Sequence, residues 1–398
     1  MNRRYKNNEA DQNLSYDDDK SRDNQDKKID LEDLKSSYWF TRIIFLRYLG
    51  FIYLVAFLVA YEQNEFLIGN EGLTPAKLYI SDINANLGSS VPLYAKFFQL
   101  PTFFWWIEPS SQNLNYLSAL GALLSLIPIV FGSANSIIML TLWLLYMSIV
   151  NVGQTWYSFG WESQLLESGF LAIFMVPFFS LLRFPQNTPT PYVTIWGYRW
   201  LLFRIMLGAG LIKIRGDSCW RDLTCMQYHY QTQPVPNPLS PLFHASPERF
   251  HTFETFGNHI IELVIPWFLF LPRTLRVACG HFQIAFQIVL ILSGNLSFLN
   301  WLTISPAIMY YDDYELSFLF KKELIEKNIL MTSVYKNTIQ TLNKNLSGSL
   351  YIYLRRIISL CLTVLLIILS IPVVKNLMSP HQVNRFTIEK NNDHENKI

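Results

Sequence analysis

Charged residues and cysteines are both scarce in this sequence, and their scarcity excludes several classes of protein. Charged residues make up 16% of the 398 residues, against about 25% in ordinary soluble domains. The net charge is only +2, and lysine and arginine form no patch interleaved with aromatic residues, so no nucleic-acid partner is predicted. Four cysteines are too few for a disulfide scaffold, and they show no zinc-site spacing. No phosphate loop, nucleophile elbow or HExxH motif occurs, so the sequence predicts no metal, no cofactor and no catalytic residues.

The sequence is rich instead in apolar residues that lie in long runs. Hydrophobic residues account for 51% of the chain and aromatic residues for 15%, and the mean hydropathy is +0.18. A helix crosses a bilayer with about 20 apolar residues, because helical hydrogen bonding satisfies the backbone inside lipid. The runs therefore predict an all-α fold, a polytopic bundle of about eight to nine transmembrane helices. The predicted spans are Ile43–Tyr61, Leu117–Phe131, Ile137–Val150, Ser168–Leu182, Trp200–Ile214, His259–Leu271, Val277–Ser293, Phe298–Tyr311 and Tyr351–Val374.

The positions of lysine and arginine predict which way the bundle faces. Lys27, Lys28, Lys35 and Arg42 precede the first span, and basic connectors lie on the cytosolic side of membrane proteins. Residues 1–41 are polar and poor in aliphatic side chains, which predicts a disordered cytosolic tail. Alternation then assigns a transmembrane core to 42–312 with far-side loops at 62–116, 151–167 and 215–258, a cytosolic segment to 313–350, a last transmembrane helix to 351–375 and a short far-side tail to 376–398.

Cys219 and Cys225 form the first candidate site, and both lie in the far-side loop 215–258. Five residues separate them, and a disulfide across so short a loop is feasible over a tight turn. Because disulfides persist in oxidising compartments, we predict a structural disulfide here. A redox-active pair and two free thiols are the alternatives, although redox pairs usually have two residues between the cysteines.

Charged residues within and beside the apolar runs form the second candidate site. Arg204 lies inside one predicted span, Glu162 and Glu167 precede another, and Glu262 lies one turn into a third. Since an unpaired charge in hydrocarbon is costly, these residues predict a paired intramembrane charge network. One interpretation is a structural ion pair that orients helices. The other is a polar cavity that binds a substrate or a lipid headgroup.

Six stretches rich in tryptophan, arginine and glycine follow one another along the chain. They read LIGNEGLTPA (67–76), WYSFGWESQLLESGF (156–170), WGYRWLLFRIMLGAGLIKIRGDSCWRDLTCM (196–226), YQTQPVPNP (230–238), FETFGNHIIEL (253–263) and SGNLSFLNWLTISP (293–306). Through these stretches the chain closely resembles the lipase maturation factor family. The resemblance extends from about residue 40 to about residue 320.

The resemblance implies a multipass protein of the endoplasmic reticulum membrane, and the far side would then be the lumen. Members of the family assist the folding, assembly and secretion of dimeric lipases such as lipoprotein lipase. The implied partners are therefore secreted lipases or other secretory-pathway clients, and the implied role is chaperone-like rather than enzymatic. Family members continue into a long luminal C-terminal domain. Because this sequence diverges after about residue 320, it is expected to lack most of that domain.

The resemblance is densest around the cysteine loop, which we interpret as a joint between membrane and lumen. Besides the cysteines, the predicted joint contains Lys213, Arg215, Asp217, Trp220, Arg221 and Asp222. Lys213 and Arg215 lie near the end of a span and are expected to extend to the interface.

Two other functions stay open at this point. The short spans with internal charges resemble the membrane part of vitamin K-dependent carboxylases, which would make the chain a membrane enzyme. A cavity around Arg204 would instead suit a transporter that binds a lipid or a solute.

Overall fold

The computed structural model describes residues 32–88, 91–233, 237–344 and 350–379 of the chain. Within these ranges the protein is built from helices and contains no β-strand. The predicted all-α polytopic fold is therefore confirmed. Residues 1–31 of the tail predicted to be disordered, and residues 380–398 of the predicted luminal tail, lie outside the described residues.

The helices that organise the bundle are numbered here in chain order. They are α1 (Trp39–Ile68), α2 (Ala76–Leu87), α3 (Leu93–Gln99), α4 (Ser111–Phe131), α5 (Ser136–Val152), α6 (Gly160–Met175), α7 (Tyr192–Arg215), α8 (Glu248–His259), α9 (Arg273–Ser293), α10 (Leu299–Ala307), α11 (Lys322–Lys344) and α12 (Leu350–Met378).

Five of these helices, α1, α4, α7, α9 and α12, are long and apolar enough to cross a membrane. α5 is also apolar but has only 17 residues. The other three predicted spans correspond to α6, to α10 and to the helical stretch that starts with α8. Each predicted span thus meets a helix, but the shorter helices do not reach the length of a full crossing by themselves.

α1 and α4 pack against one another along their length, and two glycines permit their close approach. A Cβ atom at Gly121 of α4 would lie 2.4 Å from the Phe57 ring of α1. A Cβ atom at Gly50 of α1 would lie 2.9 Å from Pro128 of α4. Buried side chains of α5, α6, α7 and α10 join this pair in one hydrophobic core. Small residues at such a crossing are what membrane helices use to pack closely.

α6 ends earlier than the sequence suggests. The predicted span ran over Ser168–Leu182, whereas the helix stops at Met175. Pro177 explains the difference, because the residue before a proline is driven to extended backbone. Val176 has that geometry, with φ −94° and ψ 162°. The predicted span was therefore wrong in its last part.

α6 also begins earlier, inside the predicted loop 151–167. Its first turns are polar in sequence, and this polarity indicated a loop. Glu162 and Gln164 are nevertheless buried, and the Gln164 side chain donates to Thr303 Oγ1 at 3.2 Å. Polar groups are accepted in the interior when they are hydrogen-bonded, so residues 160–167 belong to the bundle.

The span predicted over His259–Leu271 likewise begins earlier, at the start of α8. The helix then continues as a π-helical turn over Ile260–Val264 and a 3₁₀ turn over Ile265–Phe270. Pro266 lacks the N–H that would continue α-helical bonding, which accounts for the change in winding. The last part of the predicted loop 215–258 is therefore helical.

α11 and α12 lie at the periphery. α11 is amphipathic, and its apolar side packs against the start of α1 through Leu324, Ile325 and Ile329. α12 contacts α7, while most of its apolar side chains are exposed. An apolar helix with exposed side chains requires a lipid environment.

Candidate functional site

The candidate site is the joint at the end of α7, where the helix is closed by an arginine that follows it. Arg221 donates from Nη1 to the carbonyl oxygens of Ile214 and Gly216, each at 2.9 Å. A cation that binds the last carbonyls of a helix also complements its dipole. Arg215 donates from Nη2 to the carbonyl of Leu377 at 2.9 Å. The end of α7 is thereby attached to the end of α12.

The predicted disulfide between Cys219 and Cys225 is confirmed. The two Cα atoms lie 4.8 Å apart, within the usual range for a disulfide. The backbone N–H of Cys225 donates to the carbonyl of Cys219 at 3.2 Å, so the enclosed segment is a hydrogen-bonded turn. Leu223 adopts φ 58° within it. The disulfide holds this turn directly beyond α7.

Lys213 turns toward α8 and the π-helical turn. Its Nζ donates to Glu262 Oε1 at 2.7 Å and to Asn258 Oδ1 at 2.9 Å. It also lies 4.9 Å from the ring centroid of Trp220, a cation–π contact. The carbonyl of Trp220 lies 2.9 Å from His259 Nε2, which donates to it. The sequence did not predict this pairing of Lys213 with the buried carboxylate of Glu262.

Arg204 forms a second ion pair, between α7 and α6. Its Nη2 donates to Glu167 Oε2. The pair lies beside a cavity of about 220 Å³ that Ser163 and Gln164 also line. Because the two charges neutralise one another, the pair gives this cavity no net charge.

Glu162 belongs to neither ion pair. It is buried, and the hydroxyl of Tyr146 on α5 donates to its Oε2 at 3.0 Å. The structure therefore divides the four residues of the predicted network among three separate contacts. Asp217 and Asp222, also predicted in the joint, are exposed on its surface.

A histidine and tyrosine cluster beside the joint was missed by sequence reasoning. Glu254 of α8 accepts from the hydroxyl of Tyr230 at 2.8 Å and from Nδ1 of His251 at 3.0 Å. Burial and the bond to Glu254 raise the pKa of Tyr230. Burial, with Lys213 nearby, lowers the pKa of His229. The sequence signal that could have indicated this cluster is the spacing of His251 and Glu254, which lie one helical turn apart.

A pair of adjacent aspartates at the opposite end of the bundle was also missed. Asp312 is buried and accepts from Arg273 at 2.7 and 2.8 Å and from Arg276 at 3.2 Å. Asp313 accepts from the backbone N–H groups of Trp39 and Phe40 at 2.7 and 2.9 Å. It therefore caps the first turn of α1 from a distant part of the chain. Among the described residues, no group of three His, Cys, Asp or Glu side chains could hold a metal ion.

Most of the transmembrane bundle matches the sequence model of a known family. The model described as "Lipase maturation factor transmembrane domain" matches residues 40–318. The chain belongs to the lipase maturation factor family. The disulfide joint and both ion pairs of α7 lie within the lipase maturation factor domain, whereas α11 and α12 lie beyond its matched residues.

Individual lipase maturation factors are similar over most of this chain. Lipase maturation factor 1 of Mus musculus is 50% identical over 353 residues, which cover 87% of this chain and 60% of the relative. The Bos taurus protein of that name is 51% identical over 350 residues, or 87% of this chain and 62% of the relative. Lipase maturation factor 2 of Xenopus tropicalis is 35% identical over 286 residues, which cover 70% of this chain and 40% of the relative.

The chain thus spans about three fifths of the length of the lipase maturation factor 1 proteins that it matches. No solved structure matches it.

Proposed function

We propose that this protein is a chaperone-like factor of the endoplasmic reticulum membrane that assists the maturation of secreted lipases. The observation that carries the proposal is 50% identity to a protein named Lipase maturation factor 1 over 87% of the chain. In this proposal the protein acts by binding its client and catalyses no reaction. Its partners are secreted lipases or other secretory-pathway proteins, as the name of the relatives suggests.

The proposed orientation places the disulfide end of the bundle in the lumen and the N-terminus in the cytosol. Support comes from two independent features. The Cys219–Cys225 disulfide requires an oxidising compartment. The opposite end carries Arg273 and Arg276 beside the Asp312–Asp313 pair, and Arg183 binds the end of α4. Such basic ends face the cytosol.

An introduced glycosylation site tests this orientation. Leu87→Asn creates the acceptor Asn-Gly-Ser at the end of α2, 19 residues after the end of α1 and 24 residues before the start of α4. We expect one added glycan in cells, seen as a mobility shift that endoglycosidase removes. The experiment is made in an Asn295→Gln variant, which lacks the natural acceptor at that position. The natural acceptor at Asn345 is the control and should stay unmodified. Modification at Asn345 without modification at residue 87 would show the reverse orientation.

The geometry suggests how the joint would serve a client. Three elements meet at the joint. α7 ends there, α12 is bound to it by Arg215 of α7, and the α8 region contacts it through Glu262 and His259. The disulfide turn is therefore held by several helices rather than by a flexible loop. A surface fixed in this way can bind a folding intermediate without first being ordered, which lowers the cost of binding.

Secretion of active lipase tests the function. In cells that lack their own lipase maturation factors, expression of this chain with a dimeric lipase should raise lipase activity per amount of secreted lipase. Replacing both joint cysteines, Cys219→Ala with Cys225→Ala, should remove the gain. Cys361→Ala, at an exposed free cysteine on α12, is the matched control and should retain it. No gain with the unmodified chain, together with no crosslinking to the lipase, would contradict the proposal.

We further propose that the Arg204–Glu167 pair is structural and orients α6 against α7. The neutral pair leaves no charge for an ionic solute in the adjoining cavity. Arg204→Gln with Glu167→Gln should therefore retain the folded bundle and lipase secretion, whereas Arg204→Gln alone should lower stability. Equal loss of function in both variants, with folding intact, would favour a ligand site instead.

A further inference from the structure

The side of α8 that faces the interior of the protein is polar. Its buried residues, which recur at helical spacing, are His251, Thr255 and Asn258. The Thr255 hydroxyl donates to the carbonyl of His251 at 2.8 Å, and the Asn258 amide donates to Glu262 Oε2 at 2.9 Å. Buried polar groups are stable where they are hydrogen-bonded in this way. The side of α8 that packs on the protein is therefore its polar side.

The outward side of α8 is apolar. Three phenylalanines spaced three residues apart form it, and they are called here the phenylalanine stripe: Phe250, Phe253 and Phe256. These residues are between 42% and 68% exposed. Contiguous exposed apolar surface of this kind marks a contact with a membrane or with another protein. The arrangement is the reverse of a helix that lies on a core with its polar side in water.

The phenylalanine stripe continues into a segment that is long enough to cross the membrane. α8, the π-helical turn and the 3₁₀ turn follow one another without a break and have 12, 5 and 6 residues. At about 1.5 Å per residue they extend about 35 Å, against about 30 Å of hydrocarbon in a bilayer. The outward residues of the two turns are also apolar, and each is about half exposed: Val264, Trp267 and Phe270.

The segment before α8 is attached to the end of a membrane helix. α9 is one of the five helices that are long and apolar enough to cross. The Ser240 hydroxyl donates to the carbonyl of Ser293 at 2.7 Å, and the Asn237 amide donates to the carbonyl of Gly294 at 3.0 Å. Leu242 in the same segment is 71% exposed. This segment is therefore fixed at the level of the last turn of α9, where that helix leaves the hydrocarbon.

We propose that the phenylalanine stripe is a lipid-contact surface, embedded in the leaflet at the disulfide end of the bundle. α8 is then the outer part of a membrane crossing, with its phenylalanines against lipid and its polar side toward α7. Aromatic side chains are enriched at this depth of a bilayer. The proposal concerns the membrane alone and is independent of any lipase client.

A client protein is the other candidate partner, because α8 contacts the disulfide joint through His259. Two observations favour lipid. The stripe is continuous with the outward side of the turns that lead to Phe270. The segment before it is attached to the last turn of α9, which sets its depth in the bilayer.

The accessibility of a spin label in lipid bilayers tests the proposal. The full chain with Phe253→Cys is labelled with a nitroxide and reconstituted in phosphatidylcholine bilayers without a lipase. Cys361→Ala removes the exposed free thiol, Cys279 is buried, and Cys219 and Cys225 are bonded to each other. Oxygen concentrates in hydrocarbon and a nickel chelate stays in water. We expect the label to collide several-fold more often with oxygen, relative to nickel, than a label in water does.

Two further labels on the same background calibrate this ratio. Ile288→Cys, on the exposed side of α9, reports lipid, and Asp82→Cys, on the exposed side of α2, reports water. A label at residue 253 that resembles the one at residue 82 would overturn the proposal. If added lipase then blocked its access to nickel, the stripe would be a client surface. A label that neither quencher reaches would also overturn the proposal, because protein then covers the stripe.

A second position keeps the test decisive if the first substitution disturbs the helix. Phe256 is also exposed, so Phe256→Cys replaces a side chain outside the core, and circular dichroism verifies that the fold is kept. We expect its oxygen-to-nickel ratio to be at least as high as that at residue 253, because Phe256 lies closer to the π-helical turn. A lower ratio at residue 256 would contradict the continuity of α8 with a membrane crossing and would overturn the proposal.

Discussion

At the scale of single residues, charges in and near the membrane are held by partners on neighbouring helices. The sequence placed Arg204, Glu167 and Glu262 at similar depths in the membrane. The depth of a residue can be predicted from periodicity and from the limits of the predicted spans. It did not predict that Glu262 faces Lys213. That direction depends on the π-helical turn over Ile260–Val264, which changes the number of residues per turn and so rotates the side chain.

The pair of Lys213 and Glu262 leads to a prediction about stability. The Glu262 side chain is only 4% exposed and that of Lys213 is 24% exposed. Lys213→Met leaves a buried carboxylate without its cation, and breaking a buried pair in this way costs about 3–5 kcal/mol. Because Lys213 is partly exposed, we expect a value near the lower limit. Thermal unfolding in detergent, followed by tryptophan fluorescence, measures the loss.

The double variant supplies the control for this prediction. Lys213→Met with Glu262→Gln removes both charges, so most of the lost stability should return. Lys375→Met removes a lysine outside this pair and should have little effect. If the double variant is as unstable as Lys213→Met, the lysine stabilises the joint through its contact with Trp220 and not through the ion pair.

At the scale of helices, the sequence predicted which segments are apolar but not where each helix begins. α6 shows the reason. Its first turns carry Glu162 and Gln164, two polar residues that are typical of a loop. In the folded protein Glu162 is bound by Tyr146 and Gln164 by Thr303. Those partners are distant in sequence, so no local pattern contains them. The end of α6 was also predicted wrongly, although its cause is local, because Pro177 acts on the residue directly before it.

The crossing of α1 and α4 leads to a second prediction. Gly121→Ala would place a methyl group 2.4 Å from the Phe57 ring, and the ring is buried in the core. Overpacking of this kind costs about 1–3 kcal/mol, so we expect a clear fall in the unfolding temperature. Gly257→Ala in α8 is the matched control, since a methyl group there meets nothing within 4 Å. Ala is the better helix former, so the control should be neutral or stabilising by up to about 1 kcal/mol. A similar fall in the unfolding temperature of both variants would show that the loss of stability does not arise from the crossing of α1 and α4.

At the scale of the whole molecule, the two ends of the bundle are built differently. One end is closed by the buried Asp312–Asp313 pair, which joins α1 and α9 through hydrogen bonds. The other end carries the disulfide joint and the loops around it. Composition predicted the helical membrane fold, and the basic connectors predicted the two sides. The arginines that bind Asp312 and the backbone N–H groups that Asp313 caps lie more than 30 residues away in the chain, so the sequence did not reveal that end as a closed structure.

This difference predicts that loss of the disulfide affects one end of the molecule only. The closed loop is short, so its removal lowers stability by about 2 kcal/mol in the chain-entropy account. The bundle is held instead by the core around α1 and α4, which the disulfide does not touch. Cys219→Ala with Cys225→Ala should therefore keep the helical circular dichroism signal, while limited proteolysis should cut faster between residues 216 and 233. Cys361→Ala should leave both measurements unchanged. Parallel loss of helical signal and of protease resistance would contradict this division, since it would mean that the joint and the bundle unfold as one unit.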